Sequence, residues 1–405
     1  MVIHDAIYNP RERATINDPL PVFRRLQDED PCHWCAPLKS WVFTRHDDVR
    51  EVLRDDHISA DRLTPYFASL PSAQRGGITE LIRYLNTWVA FKDPPDHTRI
   101  RSLLNKVFTP GAVRDLRPLI DNAVAHLLDP LRDKSEFDFI EEFAYPLPAT
   151  VILMMLGLPP DDMQRLHEWS AEMQPFIGGA TSSPDKYARA EAGAVAMADY
   201  FRAAIRERVS RPRQDMLSKL VACREQDDAL SEDEVIGTAM LFLFGGHETT
   251  TNLIGNGVRA LLQHRDQLAR LRREPSTIKL AVEEILRFDG PTLASVRVVK
   301  SSHERHGRSL LAGQRVFVMI HGANHDPRRF DDPGQFDIGR EPNPHLTFNY
   351  GIHFCLGAPL ARLEGEIAIG AVAERMPSLA IAQDRYDYMD TMVMRGVRSM
   401  PVRQN

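Results

Sequence analysis

Residues 348–357 read FNYGIHFCLG, a glycine-flanked loop that presents one cysteine, Cys355, just before a predicted helix. Gly351 and Gly357 let the backbone turn tightly and approach a flat ligand closely. A helix N-terminus and nearby amides stabilise a thiolate, which is the form of cysteine that binds metal. The pattern therefore predicts a ligating thiolate at Cys355. A buried cysteine that merely packs is the alternative.

A second unusual segment, GGHETT at residues 245–250, lies inside the longest predicted helix. This helix begins at the capping box Ser231–Glu234 and runs to about Gln263, which is roughly 48 Å at 1.5 Å per residue. Two adjacent glycines cost roughly 1 kcal/mol each relative to alanine, and threonine hydroxyls compete for backbone carbonyls. We therefore expect the helix to open locally at the glycines. Close packing against another helix would explain the glycines but leaves Glu248 unexplained.

Other metal-site patterns are weaker. Cys32 and Cys35 form a C-x-x-C pair, but no second pair exists and a strand-like stretch follows, so we expect a structural role. The pair His247-Glu248 could begin an H-E-x-x-H zinc motif, yet Thr251 stands where the second histidine is needed. Four cysteines in 405 residues cannot form a disulfide framework and fit a reducing compartment.

Composition narrows the function classes. The net charge of −6 and the scattered basic residues disfavour nucleic-acid binding. The polar N-terminal stretch lacks a signal core, and the longest apolar runs are far shorter than the roughly 20 residues of a spanning helix. We expect a cytoplasmic protein that does not bind membranes. Length alone favours two or three domains.

The loop at Cys355 resembles the haem-binding signature of the cytochromes P450, F-x-x-G-x-H-x-C-x-G followed by Ala-Arg. The matching residues are Phe348, Gly351, His353, Cys355 and Gly357, with Ala361-Arg362 after them. Asn349 departs from the pattern, because glycine or serine is usual there. The resemblance implies haem b with Cys355 as the axial ligand of the iron, whose electron-rich sulfur favours O–O bond cleavage.

The GGHET run resembles the central-helix motif of the same family, A/G-G-x-D/E-T. In this motif a widened turn, here Gly245 and Gly246, makes room for dioxygen above the haem. By that match Glu248 is the acid and Thr249 the alcohol of a pair that delivers protons during oxygen activation.

The resemblance assigns further residues. Glu284 and Arg287 match the E-x-x-R motif, whose ion-pair network we expect Arg340 to complete, since Gln335 stands at one common arginine position. His97, Arg101, Arg297 and His353 are the expected partners of the haem propionates. Leu293, Ala294 and Val393 are expected in an apolar substrate pocket.

The resemblance also implies the fold, which is mainly α with a smaller β-rich region in a single triangular domain, residues 1–405. We place the β-rich parts at about residues 35–60, 295–320 and 378–402. The helical parts are placed at about residues 95–290 and 356–376. This single domain replaces the two or three that length alone favours.

The expected activity is a haem-thiolate monooxygenase that hydroxylates or oxidatively demethylates a small to medium apolar organic substrate. We expect a monomer that takes electrons from a separate ferredoxin or flavodoxin with its reductase, because the chain ends about 50 residues after Cys355. An acidic partner would dock near Arg99, Lys106 and Arg362. Two alternatives are peroxide use or nitrogen-oxide reduction on the same fold, and a haem sensor or carrier. The acid–alcohol pair disfavours both.

Overall fold

The computed structural model describes residues 8–179, 185–225, 230–383 and 385–404. The chain forms two compact units. Unit 1 comprises Met1–Ser59, Val124–Ala144 and Thr249–Asn405, and unit 2 comprises Ala60–Ala123 and Tyr145–Glu248. In the part of the chain that the structure describes, no helix is long and apolar enough to cross a membrane.

Helices dominate the chain, as the sequence predicts. In chain order they are α1 (Arg13–Asn17), α2 (Leu20–Glu29), α3 (His46–Val52), α4 (Leu63–Ser69), α5 (Ser72–Gly76), α6 (Thr79–Leu85), α7 (Asp96–Val107), α8 (Pro110–Arg114), α9 (Arg117–Leu128), α10 (Pro146–Leu156), α11 (Met163–Ile177), α12 (Lys186–Ser210), α13 (Met216–Ala222), α14 (Glu232–Gln263), α15 (Arg265–Arg273), α16 (Ile278–Asp289), α17 (Ile320–Ala323) and α18 (Ala358–Arg375). The six helices before α7 show that helical structure begins well before the expected residue 95.

The strands belong to unit 1. They are β1 (His33–Cys35), β2 (Ser40–Phe43), β3 (Ile58–Ser59), β4 (Glu136–Asp138), β5 (Ser295–Val299), β6 (His303–Arg305), β7 (Arg308–Leu310), β8 (Arg315–Val318), β9 (Leu379–Ile381) and β10 (Pro401–Gln404). The larger sheet has the order β1-β2-β8-β5-β3, with β2 and β8 parallel and the other neighbours antiparallel. The three expected β-rich regions contain nine of these strands in whole or in part, whereas β4 lies outside them.

The sheet of unit 1 positions two segments of the candidate site. Strand β5 pairs with β8 so that Arg297 lies opposite Val316, in the middle of the sheet. Every residue of both strands except the first is buried, so side chains on both faces of this part of the sheet are packed. Cys32 and Cys35 pack in two hydrophobic clusters beside this sheet, and burial raises the pKa of both thiols. They therefore stay neutral and serve packing.

Unit 2 is helical, and the pairing of α11 with α12 organises it. Gly193 allows the two helices to approach closely, because a Cβ there would lie 2.7 Å from the backbone oxygen of Trp169. Trp169 and Tyr200 continue the contact with ring centroids 6.0 Å apart. This pairing supports α11, the helix that carries His167.

The capping box predicted for α14 is present. The Glu234 backbone N–H donates to Ser231 Oγ at 3.2 Å, and the Ser231 backbone N–H donates to Glu234 Oε2 at 2.8 Å. The structure describes α14 as one α-helix through the glycine pair, and the expected local opening there stays a prediction. The lack of a side chain at Gly245 leaves space beside the helix. A Cβ on Gly245 would meet only the Leu241 side chain, at 3.8 Å, and Gly245 is exposed.

Candidate functional site

The cysteine loop is held by its own backbone. The Cys355 N–H donates to Phe348 O at 2.8 Å, and the Phe354 N–H donates to Gly351 O at 3.1 Å. Helix α18 begins three residues after the cysteine, and the Ala358 N–H donates to Cys355 O at 3.3 Å. Cys355 is exposed at this turn. A ligating sulfur has to be exposed in this way before it meets an iron, whereas the alternative of a buried packing cysteine requires the opposite.

Asn349 departs from the family signature without disturbing the loop. Its φ is 68°, in the left-handed region that glycine and asparagine adopt most readily. Its side-chain oxygen accepts from the Tyr350 N–H at 3.0 Å, and its amide nitrogen donates to Ser295 Oγ at 3.4 Å. Arg297 Nη1 donates to the same hydroxyl at 2.8 Å. Ser295 thus joins the cysteine loop to the β5 arginine that the sequence assigns to a propionate.

Phe348 anchors the other side of the loop. The guanidinium carbon of Arg362 lies 4.4 Å from the centroid of its ring. Arg362 also donates to Glu283 at 2.6 and 2.9 Å, and His345 Nε2 lies 3.1 Å from the same carboxylate. Burial opposes ionisation of Glu283, but the hydrogen bonds with His345 and Arg362 prevail and lower its pKa to about 2. Arg362 is therefore an internal partner in an ion pair.

The E-x-x-R pair lies at the centre of a buried network in unit 1. Arg287 donates to both oxygens of Glu284 at 2.8 Å, and both side chains are fully buried. Arg340 Nε donates to Glu284 at 3.2 Å, so it is the third member that the sequence predicts. Arg287 also donates to the backbone oxygens of Asn324, Pro333 and Gln335. The network ties α16 to the irregular segment that precedes the cysteine loop.

Helix α14 carries Glu248, the residue that is predicted to act as the acid, at the end of unit 2. Glu248 is half-buried and its Oε2 atom is buried. Gly246 packs closely, since a Cβ there would lie 2.5 Å from Ile152 Cδ1. Thr249, the expected alcohol, follows directly in the helix and is half-buried.

Helix α7 carries two of the expected propionate partners one turn apart. His97 is buried, and its pKa is lowered by burial and next by the positive charge of Arg101. A neutral imidazole can still donate a hydrogen bond to an anion. Arg99 of the same helix pairs with Glu234, so it is less available to attract a partner protein than the sequence alone indicates.

The expected pocket residues come together in unit 1. The N–H groups of Leu293 and Ala294 both donate to the backbone oxygen of Val393, at 2.9 and 3.3 Å. Ala294 is buried, and Met392 and Val393 are packed beside the same hydrophobic cluster. These residues form an apolar surface between the end of α16 and the C-terminal segment.

Two polar features escape the sequence analysis. Glu364 of α18 is fully buried, no described group hydrogen-bonds to either of its carboxyl oxygens, and burial raises its pKa to about 8. Tyr145 and His167 form a ring cluster with His247. The run LARLEGEIAIGA, which places Glu364 on a helix with many small and apolar residues, could have indicated the buried glutamate. Sequence spacing does not indicate the ring cluster, since its members lie on three helices or their ends.

The residues present fit a haem-thiolate group. Cys355 offers an exposed sulfur, and a Cβ on Gly357 would lie 3.8 Å from that sulfur. The absence of side chains at Gly245 and Gly357 leaves space that a bulkier residue would fill. The four residues predicted to bind the propionates are arginines and histidines, whose hydrogen-bond donors match these anionic groups.

Comparisons with known proteins agree with this chemistry. A family model described as cytochrome P450 matches residues 181–376. The chain is 34% identical over 98% of both chains to a polyketide biosynthesis cytochrome P450, PksS, of Bacillus subtilis. It is 40% identical to cytochrome P450 107B1 of Saccharopolyspora erythraea, over 90% of this chain and 89% of that protein. A solved structure of P450BioI with an acyl-ligated acyl carrier protein has a TM-score of 0.90 at 35% identity, covering 97% of this chain and 99% of that one.

These relatives are all cytochromes P450, and each matches at least 90% of this chain. The solved structure also shares its mainly helical fold. The cofactor of that family is haem, and its members are oxidoreductases that incorporate oxygen from O2. The chain belongs to the bacterial cytochromes P450, the haem-thiolate monooxygenases.

Proposed function

We propose that the protein hydroxylates an unactivated C–H bond of a medium-sized apolar molecule, with electrons from a separate small ferredoxin. The observation that carries the proposal is the acid–alcohol pair Glu248-Thr249, which follows Gly245, Gly246 and His247 in the middle of α14. A haem sensor or carrier needs no proton-delivering residues, and an enzyme that uses peroxide needs them less.

Haem, when bound through Cys355, supplies the iron at which dioxygen is reduced and its O–O bond is cleaved. The chain's own residues would hold it. Cys355 would supply the thiolate that ligates the iron, and the hydrogen bond from the Cys355 N–H to Phe348 O fixes the loop. His97, Arg101, Arg297 and His353 are the proposed partners of the propionates, because two anions that are removed from water need charged or donor groups.

Glu248 and Thr249 share the delivery of protons. The carboxyl group of Glu248 exchanges a proton with water on one side and passes it toward the active site on the other. The hydroxyl of Thr249 donates a hydrogen bond that holds the proton acceptor in place. Gly245 contributes by the absence of a side chain, which leaves the backbone accessible at this point of the helix, and Gly246 lets Ile152 pack against α14.

Substrate binding is proposed at the apolar surface of Leu293, Ala294 and Val393. Flexible methionines flank this surface at positions 392 and 394, and their thioethers adapt to irregular apolar ligands. A pocket with few polar groups gains most of its affinity from apolar area removed from water, at about 25 cal/mol per Å². This composition favours an uncharged, carbon-rich substrate.

The substrate class is tested by a binding screen. The relatives include a vitamin D3 25-hydroxylase and a 6-deoxyerythronolide B hydroxylase, and solved relatives hold testosterone and myristic acid. These four compounds form a panel for spin-state titration, followed by product analysis with NADPH, ferredoxin and ferredoxin reductase. A spin shift with a hydroxylated product supports the proposal. Tight binding of a panel compound with NADPH consumption but no oxygenated product contradicts it.

A docking surface for an acidic iron–sulfur ferredoxin is proposed beside the cysteine loop. Arg50 and Arg54 of α3 lie with their guanidinium carbons 5.2 and 5.7 Å from the Tyr350 ring centroid. Ile352 and Phe354 are exposed on the same loop, with 54% and 43% of their surface open. Exposed apolar side chains beside arginines suit a partner with an acidic rim.

Charge reversal at one arginine tests this surface. The Arg54→Glu variant is expected to raise the KM for ferredoxin several-fold at low salt, with the effect shrinking as salt screens the charges. Substrate-induced spin shifts should stay unchanged, because they do not involve the partner. An unchanged KM at low ionic strength would contradict the assignment of the surface.

A further inference from the structure

A polar cluster lies inside unit 2, next to the proposed acid. Tyr145, at the start of α10, contacts two histidine rings edge-on: His167 of α11 at a centroid distance of 4.5 Å and His247 of α14 at 4.4 Å. The two histidines are 5.8 Å apart. His247 directly precedes Glu248 in α14, so the residue to which the proposed function gives proton delivery lies one position along the helix from the cluster.

Two atoms of this cluster are buried polar groups that need a partner. Tyr145 Oη and His167 Nδ1 are buried, and neither has a hydrogen-bond partner among the described residues. Leaving such a group unsatisfied costs about 1–3 kcal/mol, and native proteins rarely leave two of them together. An ordered water is the usual remedy where space allows.

The space is present. A cavity is lined by Tyr145, His167, Ser170, Leu243 and His247, together with four further apolar residues. The centre of a water molecule can lie anywhere within a volume of about 10 Å³ inside it. That is about the minimum for one buried water, which in addition needs two to four polar neighbours. The cluster supplies them.

The pKa shifts of the groups around the cavity keep the Tyr145, His167 and His247 side chains uncharged, as a chain of groups that passes protons through hydrogen bonds requires. Burial lowers the pKa of His247 to about 3, with the charge of His167 as the second cause, and burial also lowers the pKa of His167, against the opposing charge of Glu168. Burial raises the pKa of Tyr145, and the negative charge of Glu248 raises it further. At neutral pH the rings are therefore uncharged, and each can both donate and accept a hydrogen bond.

We propose that Tyr145 and His167 hold one ordered water in this cavity and that this water returns a proton to Glu248 after each delivery. The inference rests on the proposed role of Glu248. The water donates one proton to the Glu248 carboxylate and takes one from Nδ1–H of His167, while Nε2 of the same ring takes up one from solvent water, so the net transfer is one proton from solvent to Glu248. His167 is only half-buried. Tyr145 and His167 are positioning residues, because they act through the water.

A crystal structure of the haem-loaded protein gives the first test. Electron density for a water within hydrogen-bond distance of both Tyr145 Oη and His167 Nδ1 is expected, and in the Tyr145→Phe variant that density should be lost or displaced. A dry cavity in the unaltered protein would overturn the proposal whatever the activity.

Turnover gives the second test, with the panel compound that causes the largest spin shift as substrate. Tyr145→Phe and His167→Phe keep an aromatic ring but remove the water's partners. Each should lower product formed per NADPH about five-fold, the factor for one lost hydrogen bond, and should raise the solvent isotope effect on NADPH oxidation. Because both hold the same water, the double variant should be no worse than the worse single variant.

Three controls separate this proposal from simpler explanations. Product formation driven by added hydrogen peroxide, which brings its own protons, should be unchanged in both variants; a parallel loss would mean a structural role. Tyr200→Phe removes another unit 2 hydroxyl, one bound to Asp162 at 2.6 Å, and should leave coupling intact. If Glu248→Gln uncouples turnover but Tyr145→Phe does not, only the water relay is wrong; if Glu248→Gln has no effect, the proposed function itself fails.

Discussion

At the scale of single residues, Thr249 tests the proton-delivery role most simply. Thr249→Ala removes one hydroxyl and leaves the Cys355 loop untouched. We expect haem content and substrate spin shifts to stay the same, while electrons are diverted to hydrogen peroxide. General acid–base groups contribute about 10²–10⁴-fold to rates, so the loss of product per NADPH should exceed ten-fold. The measurement is the ratio of product and peroxide to NADPH consumed.

Thr251→Ala is the matched control for this variant. Two residues along a helix is a rotation of about 200°, so Thr251 points to nearly the opposite side of α14 from Thr249. Its removal should leave the coupling unchanged. If Thr249→Ala couples electrons to product as tightly as the unaltered protein, the role of the hydroxyl is wrong.

Glu364 makes stability depend on pH in a definite direction. Its pKa is about 8 in the folded protein, above the ordinary 4.5, so the folded state keeps a proton that the unfolded state releases. Stability should therefore fall as pH rises from about 4.5 to 8, by up to about 5 kcal/mol at 1.36 kcal/mol per pKa unit. Glu364→Gln stays neutral and should remove this decline.

Thermal unfolding midpoints at pH 5.5 and 8 measure this effect. The unfolding midpoint of Glu364→Gln, relative to that of the unaltered protein, should rise between pH 5.5 and pH 8. Equal differences between the two proteins at both pH values would show that the carboxyl group is not held protonated.

Asn349 explains how the loop tolerates a departure from the family signature. Its left-handed backbone suits glycine or asparagine, whereas a β-branched residue is strained there by about 1–2 kcal/mol. We expect Asn349→Gly to leave the guanidinium midpoint of unfolding almost unchanged and Asn349→Val to lower it clearly. A valine variant as stable as the glycine variant would contradict the backbone assignment.

At the scale of structural elements, the Glu284–Arg287–Arg340 network holds α16 against the segment before the cysteine loop. Arg287→Ala leaves the buried carboxylate of Glu284 without its main partner, which typically costs about 3–5 kcal/mol. We expect a large drop in the unfolding midpoint together with loss of haem. Arg270→Ala is the control, because its ion pair with Asp337 is partly exposed and should contribute about 1 kcal/mol or less. Equal effects of the two changes would contradict the structural role of the network.

Helix α14 shows where the sequence analysis succeeded and what it left open. The capping box and the apolar period predicted the helix from residue 231 to 263, and the structure has Glu232–Gln263. The expected opening stays a prediction, because glycine pairs have two uses. They can weaken a helix, or they can admit a neighbour, as Gly246 admits Ile152. Sequence alone does not tell which neighbour is present.

At the scale of the whole molecule, what the sequence predicted were local patterns with fixed spacing. The cysteine loop and the E-x-x-R pair belong to this class, and the family resemblance that they carry implied the mainly helical fold. The short strand β4 and the early helices α4 to α6 were missed, because segments of three to seven residues carry too little periodicity. Glu364 and the Tyr145 cluster were missed because burial depends on packing between distant segments.

The reduced carbon-monoxide spectrum of the Cys355→Ser variant tests the central claim most directly, with Cys223→Ser, a buried cysteine elsewhere in the chain, as the control. A thiolate ligand gives the unaltered protein a strongly red-shifted Soret band in this complex. We predict that Cys355→Ser loses that band and that Cys223→Ser keeps it. An unchanged red-shifted band in Cys355→Ser would show that another group ligates the iron.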